Sequence, residues 1–148
     1  MLAVIQRVNT ASVAVKEKVV AEIDKGLLVF LGVAKGDTSL EAKYLAGKII
    51  ELRIFGDQNR KMNLSAKEVA AELLVVSQFT LCGKLTKGRR PSFDRAADPE
   101  TAQRLYLEFI QYLKESQLTV KQGIFKEYMD VHIENDGPVT FILDSKEG

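Results

Sequence analysis

Hydrophobic and polar positions follow two patterns along this chain. Short apolar or alternating runs predict strands, and two longer stretches with apolar residues three or four apart predict helices. Ala3–Val8 reads as a first strand. Ser12–Val15 and Val19–Ile23 flank the polar Lys16-Glu17-Lys18 and read as a hairpin. Gly26–Val33 is continuously apolar, which predicts a central strand covered on both faces. Asp37-Thr38-Ser39 supplies N-cap chemistry for a helix whose Leu45, Ile49 and Leu52 share one face. A second helix starts at Asp98, a natural N-cap, with Pro99 at the first helical position and Glu100 near the positive end of the dipole. Its stripe is Leu105, Phe109, Tyr112 and Leu113. Between the helices lies a strand over Leu73–Leu81, and after the second come Leu118–Lys121, Met129–Glu134 and Val139–Leu143. About seven strand segments and two helices, with hairpins at the start and end, predict an α/β chain with a mixed, largely antiparallel sheet.

The length of 148 residues fits one domain spanning 1–148 with its own core. An apolar fraction of 46% and a charged fraction of 28% are those of an ordinary globule. The net charge of +1 gives no global drive toward nucleic acid or membrane. The start, Met1 to Arg7, reads as a strand rather than a signal peptide, and no apolar run reaches the roughly 18 to 20 residues of a membrane span. The lone Cys82 rules out an intrachain disulfide and fits a reducing, cytoplasmic setting.

Cys82 and His132 are the only residues of their types, so a thiol–imidazole pair must use both. His132 sits among the polar positions of the alternating Met129–Glu134 run, between two acids, which reads as a solvated or ion-paired histidine. No spacing of Cys, His or acids matches a metal motif, and no metal or cofactor is expected. Ser77 lacks a G-x-S-x-G elbow, and Thr80 has no base identifiable from sequence.

Two segments carry more chemistry. Ser77-Gln78-Phe79-Thr80-Leu81 places hydroxyls, an amide and backbone N–H groups at the end of a buried run, a polar site on a rigid base. Asn135-Asp136-Gly137-Pro138-Val139-Thr140 places a Gly-Pro step at the mouth of another β-rich run, either as a turn or as a device for fixing carbonyl directions. Beyond the first segment, Lys84, Lys87, Arg89, Arg90 and Arg95 are opposed only by Asp94, a local balance of +4 on a Gly- and Pro-containing loop. Two readings stand for it: a solvated charge run, or a grip on a phosphate backbone.

These motifs, together with Gln6-Arg7-Val8, Arg53-Ile54-Phe55, Lys61-Met62-Asn63-Leu64-Ser65, Gly88-Arg89-Arg90-Pro91-Ser92-Phe93 and Gly123-Ile124-Phe125, resemble the D-aminoacyl-tRNA deacylase family over nearly the whole chain. One departure is Lys126-Glu127-Tyr128, where the family has a small Gly-Ala pair and an acid; it alters the wall near the substrate's terminal adenosine. The resemblance implies hydrolysis of the ester between a D-amino acid, or mischarged glycine, and the 3′ end of tRNA. It implies a three-layer fold with helices outside, and a homodimer with active sites at the interface. It assigns catalysis to Ser77, Gln78, Phe79 and Thr80, with N–H groups near Phe79 and Thr80 as oxyanion donors. It assigns substrate contact to Gly137, Pro138, Arg7 and Met129, and tRNA contact to Lys84, Lys87, Arg89 and Arg90. In the family the Gly-Pro step is cis and reaches into the partner's site, where its carbonyls exclude an L side chain. Thr80 is then either a nucleophile or a shaper of the site, and the absence of a local base favours the second role. The rivals are a non-catalytic RNA-binding module, and a thiol hydrolase built on Cys82 and His132.

Overall fold

A computed structural model describes residues 1–147. In chain order the elements are β1 (Leu2–Val15), β2 (Lys18–Ile23), β3 (Gly26–Gly32), α1 (Ser39–Glu51), β4 (Phe55–Gly56), β5 (Met62–Leu64), β6 (Glu72–Ser77), a 3-10 turn (Phe79–Cys82), α2 (Pro99–Lys114), β7 (Val120–Gln122) and β8 (Asp130–Asp144). The main sheet runs β2-β1-β3-β6-β7, with β8 also paired to β1. β1 pairs antiparallel with β2, β3 and β8, whereas β3–β6 and β6–β7 are parallel, each joined through a crossover that carries a helix. A small β4–β5 ribbon stands apart.

Two buried clusters explain the layering. On one face Ala3, Ile5, Leu27, Val29, Leu31, Leu73 and Val75 meet Leu45 and Ile49 of α1 and Leu105, Phe109 and Leu113 of α2. On the other face Leu28, Leu74 and Val76 meet Val13, Ala21 and Ile23, because the far half of β1 and its partner β2 curl back over the sheet. β3 and β6 are therefore covered on both sides, which is why they read as unbroken apolar runs. The result is the three-layer α/β fold: helices, central sheet, and the curled β1–β2 layer with the start of β8.

The structure changes several boundaries. The first strand and the first arm of the hairpin are one strand, β1, and the two last strands are likewise one, β8. The turn between β1 and β2 is closed by Lys16 and Glu17, both at positive φ (49° and 66°), while Lys18 already belongs to β2. The strand expected over Leu73–Leu81 starts one residue earlier, at Glu72, and ends at Ser77, after which the chain tightens into the 3-10 turn.

Both helix starts follow the sequence. Thr38 caps α1 in a capping box: its hydroxyl accepts the Leu40 N–H (3.2 Å), and the Glu41 carboxylate accepts the Thr38 N–H (2.6 Å). Hydrogen bonds from the Thr38 hydroxyl and N–H hold the Glu41 carboxyl below its ordinary range, so the box weakens as pH falls through that lowered value. Asp37 is not the cap; its carboxylate is buried and accepts from the Ala34 N–H and the Met1 ammonium. Thr38→Ala is expected to lower stability by about 1 kcal/mol, read as a shift in urea midpoint; an unchanged midpoint would show that α1 is held by its packing alone. Asp98 caps α2, accepting the Thr101 N–H at 2.9 Å, with Pro99 at the first helical position.

Candidate active site

β6 delivers the first segment to the surface. Its last residue, Ser77, pairs with Leu31, and the Gln78 N–H donates to the Leu31 carbonyl at 2.7 Å, so the strand stays clamped to β3 up to the point where it turns. The 3-10 turn is closed by the Leu81 N–H on the Gln78 carbonyl (3.2 Å) and the Gly83 N–H on the Thr80 carbonyl (2.9 Å). The Gln78 side-chain amide donates to the Thr80 hydroxyl. The Phe79 and Thr80 N–H groups lie where a helical start has no intrahelical acceptor for them.

Ser77, Gln78 and Phe79 border a cavity of about 530 Å³. Val33, Val76, Ala96, Ala97, Pro99 and Ala102 line it further, and the opposite wall is Phe125 to Met129 with Val131. Of the residues singled out from sequence, Ser77, Gln78, Phe79 and Met129 therefore converge on one space, with Thr80 tied to it through Gln78. Lys126, Glu127 and Tyr128, the departure noted from sequence, lie on the opposite wall, whereas Val33, Val76, Ala96, Ala97 and Ala102 are small or apolar and carry no chemical signal in a sequence; only their place near the ends of β3, β6 and α2 brings them in.

One carbonyl holds the two walls together. The Val75 oxygen accepts the Tyr106 hydroxyl of α2 (3.0 Å) and the Gly123 N–H that opens the opposite wall (2.9 Å). Tyr106 also packs on Phe125 with ring centroids 5.7 Å apart. Burial pushes the Tyr106 phenol far above its ordinary range, so it remains a donor.

The basic loop is joined to the cavity edge by aromatic packing. Phe93 meets Phe79 edge-to-face at 5.0 Å, and Lys84 and Ser92 exchange backbone hydrogen bonds of 2.8 and 3.1 Å. Lys84, Lys87, Arg89 and Arg90 are all exposed on this loop. Phe93 was visible in the sequence only as part of a motif.

Arg7 and Gly137-Pro138 form a second constellation, away from the cavity lining of their own chain. In the β1–β8 ladder Gln6 pairs with Thr140 and Val8 with Asn135, so residues 136–139 bulge outward opposite Arg7 alone. The Gly137-Pro138 peptide is cis, and both residues are exposed. The Asn135 side chain closes the bulge, accepting the Val139 N–H (2.8 Å) and donating to the Val139 carbonyl (3.3 Å). The Arg7 guanidinium donates to the Ile54 carbonyl (2.7 Å) and to the Asp136 carbonyl (3.3 Å), and pairs with the Asp136 carboxylate (3.1 Å). The bulge is thus braced against the segment that follows α1.

Cys82 and His132 are not brought together. Cys82, the last residue of the 3-10 turn, is buried near Gly32, and burial followed by the Asp37 carboxylate pushes its thiol up, away from thiolate chemistry. His132 lies in a separate outer cleft with Thr10, Ser12, Glu22 and Glu134. No helix among the described residues is long and apolar enough to cross a membrane.

The fold is thus a curled mixed sheet with a strand-end cavity edged by hydroxyl, amide and backbone donors. The family model described as D-Tyr-tRNA(Tyr) deacylase matches residues 4–144, and the chain belongs to that family. The D-aminoacyl-tRNA deacylase of Persephonella marina is 58% identical over 99% of this chain and 99% of its own. That of Thermodesulfovibrio yellowstonii is 51% identical over 99% of this chain and all of its own. A solved structure described as a c-Myc DNA unwinding element binding protein superposes with a TM-score of 0.91 at 40% identity, covering 97% of this chain and 98% of that one. A probable eukaryotic D-amino acid tRNA deacylase shares the fold, with a TM-score of 0.81 at 17% identity over 96% and 97% of the two chains. The chain is a D-aminoacyl-tRNA deacylase, a hydrolase of the ester bond.

Proposed function

We propose that the cavity receives the 3′-terminal aminoacyl nucleoside of tRNA and that the enzyme releases D-amino acids and mischarged glycine while sparing L-amino acids. The observation that carries this reading is the convergence of Ser77, Gln78 and Phe79 at the clamped end of β6 on one cavity. An aminoacyl ester is already activated, so the site has three tasks: hold the carbonyl, stabilise its oxyanion and admit a water. The Phe79 and Thr80 N–H groups serve as oxyanion donors, fixed before the reaction by the turn. Water adds to the carbonyl carbon, the tetrahedral intermediate expels the tRNA 3′-oxygen, and that oxygen takes up a proton. The substrate's own 2′-hydroxyl assists the water, and Thr80 shapes the site rather than attacking.

Chirality is selected by exclusion: the Gly137 and Pro138 carbonyls stand where an L side chain would go. Because these residues lie outside their own chain's cavity, a second copy supplies them, and the working unit is a homodimer. The exposed Phe141 and Ile142 beside the bulge support a covered surface there. Lys84, Lys87, Arg89 and Arg90 grip tRNA phosphates from the loop that Phe93 ties to the cavity edge, which makes affinity fall with salt.

The test is deacylation of matched D-tyrosyl-, L-tyrosyl- and glycyl-tRNA in the presence of a chelator. Release from the D and glycyl esters with the L ester spared is expected. Equal release from both enantiomers would remove the exclusion mechanism, and binding without release would leave a nucleic-acid-binding protein. In the same assay Thr80→Ala is expected to stay within about tenfold of the parent rate, the scale of one hydrogen bond. Loss of all turnover, with an acyl-enzyme trapped on the native protein, would make Thr80 the nucleophile.

A further inference from the structure

One wall of the cavity is not used by the chemistry above. After Gly123 the chain turns, with the Glu127 N–H on the Ile124 carbonyl at 3.2 Å and Lys126 in the left-handed region at φ 67°. Both flanks of this turn are anchored: Phe125 packs against the helix-side core, and Met129 against the opposite core. Between those anchors Tyr128 borders the cavity yet keeps 89% of its surface exposed. A phenol ring left in water contributes little to folding through burial. Across the cavity Phe79 is also largely exposed, so the rim carries an aromatic ring on each side. Cations accompany both rings: Lys126 on the turn of Tyr128, and the loop of Lys84 to Arg90 joined to Phe79 through Phe93. Exposed aromatic rings next to cations are the chemistry that holds single-stranded nucleic acid, the rings stacking on bases and the cations meeting phosphates.

We propose that Tyr128 is a stacking platform for an unpaired nucleobase of the substrate outside the cavity, and that Lys126 meets the accompanying phosphate. The proposal rests on the reading that the cavity holds the terminal aminoacyl nucleoside. A space of about 530 Å³ is of the size that encloses one small ligand, so the rest of the strand leaves over the rim. The turn at 126–128 then sets how firmly the enzyme holds the nucleic acid beyond the ester.

The experiment compares the parent with Tyr128→Phe, Tyr128→Leu and Tyr128→Ala on D-tyrosyl-tRNA and on D-tyrosyl-adenosine, which has no further nucleotide. Tyr128→Ala and Tyr128→Leu are expected to raise KM for the tRNA about tenfold with kcat unchanged, whereas Tyr128→Phe keeps the parent value. Because Tyr128 also borders the cavity, D-tyrosyl-adenosine is expected to show a smaller rise in KM than the tRNA does. An unchanged KM for tRNA in Tyr128→Ala, an equal rise on both substrates, or full rescue by Leu would overturn the platform. So would dissociation of the Tyr128→Ala protein in sedimentation, which would place the ring between two copies of the chain. If the parent hydrolyses neither ester, the reading of the cavity fails separately. The platform is then judged by binding of uncharged tRNA, which Tyr128→Ala must weaken by the same factor to sustain it.

Discussion

Gly26→Ala should destabilise the fold by roughly 3 kcal/mol or more, a larger loss than most single substitutions cause. Gly26 opens β3, paired with Val8 of β1 on one side and Glu72 of β6 on the other. A Cβ built there would stand 1.8 Å from the Glu72 carbonyl oxygen and 2.7 Å from its carbon. Both contacts are backbone, so no side-chain rotation relieves them. The start of β6 has to move off β3, and Leu73 and Leu74, both fully buried, move with it. For a domain of this size the melting temperature should fall on the order of 10 °C. Urea denaturation of parent and variant checks this, and midpoints that coincide would mean the parallel ladder can open at this end without cost. Because β6 also carries Ser77 and leads directly into Gln78, the surviving folded fraction should show weakened turnover as well.

Gly137→Ala should leave the core standing and cut deacylation of D-tyrosyl-tRNA on the order of 100-fold, the scale of a misplacement of about 1 Å at a reacting site. Gly137 sits at φ 144°, a region L residues avoid. Its added Cβ would meet Val139 Cγ2 at 2.6 Å and the Val139 nitrogen at 2.7 Å. Val139 is buried and its N–H is held by Asn135, so the step rather than Val139 has to turn. Under the proposed mechanism that rotation carries away the carbonyls that exclude the L enantiomer, and the ratio of D to L turnover should collapse with the rate. Parental rates on the D ester, in a variant whose far-UV spectrum and melting are unchanged, would detach this step from the reaction.

What the sequence disclosed depended on whether a signal was local. The helices were legible because Thr38 and Asp98 cap them and the apolar stripes recur at helical spacing. The covered strands β3 and β6 were legible as unbroken apolar runs. β8 was read as two strands because Asn135 to Pro138 has turn composition, yet the chain bulges there and stays on the same partner. β4 and β5 are two and three residues long, too short for any periodicity. The polar half of the site announced itself through Ser77, Gln78 and Thr80. The apolar half did not, since Val33, Ala96, Ala97 and Ala102 look like any packing residue until the topology gathers them. The distance between Gly137 and its own cavity is likewise a property of the whole sheet, and no local pattern encodes it.

The Val75 carbonyl, shared by Tyr106 and Gly123, has a bearing on how such a protein can be changed. Helix packing and site shape meet at a single acceptor atom, so they are not separate targets for an engineer or for selection. A substitution that shifts α2 to gain heat resistance pulls on the strand that presents Ser77 and on the wall that begins at Gly123 at the same time. The loop from Lys84 to Arg90 joins the cavity edge by a different route, through the packing of Phe93 on Phe79. Under the proposed function, preference among tRNAs can then drift while the end of β6 that presents Ser77 stays fixed.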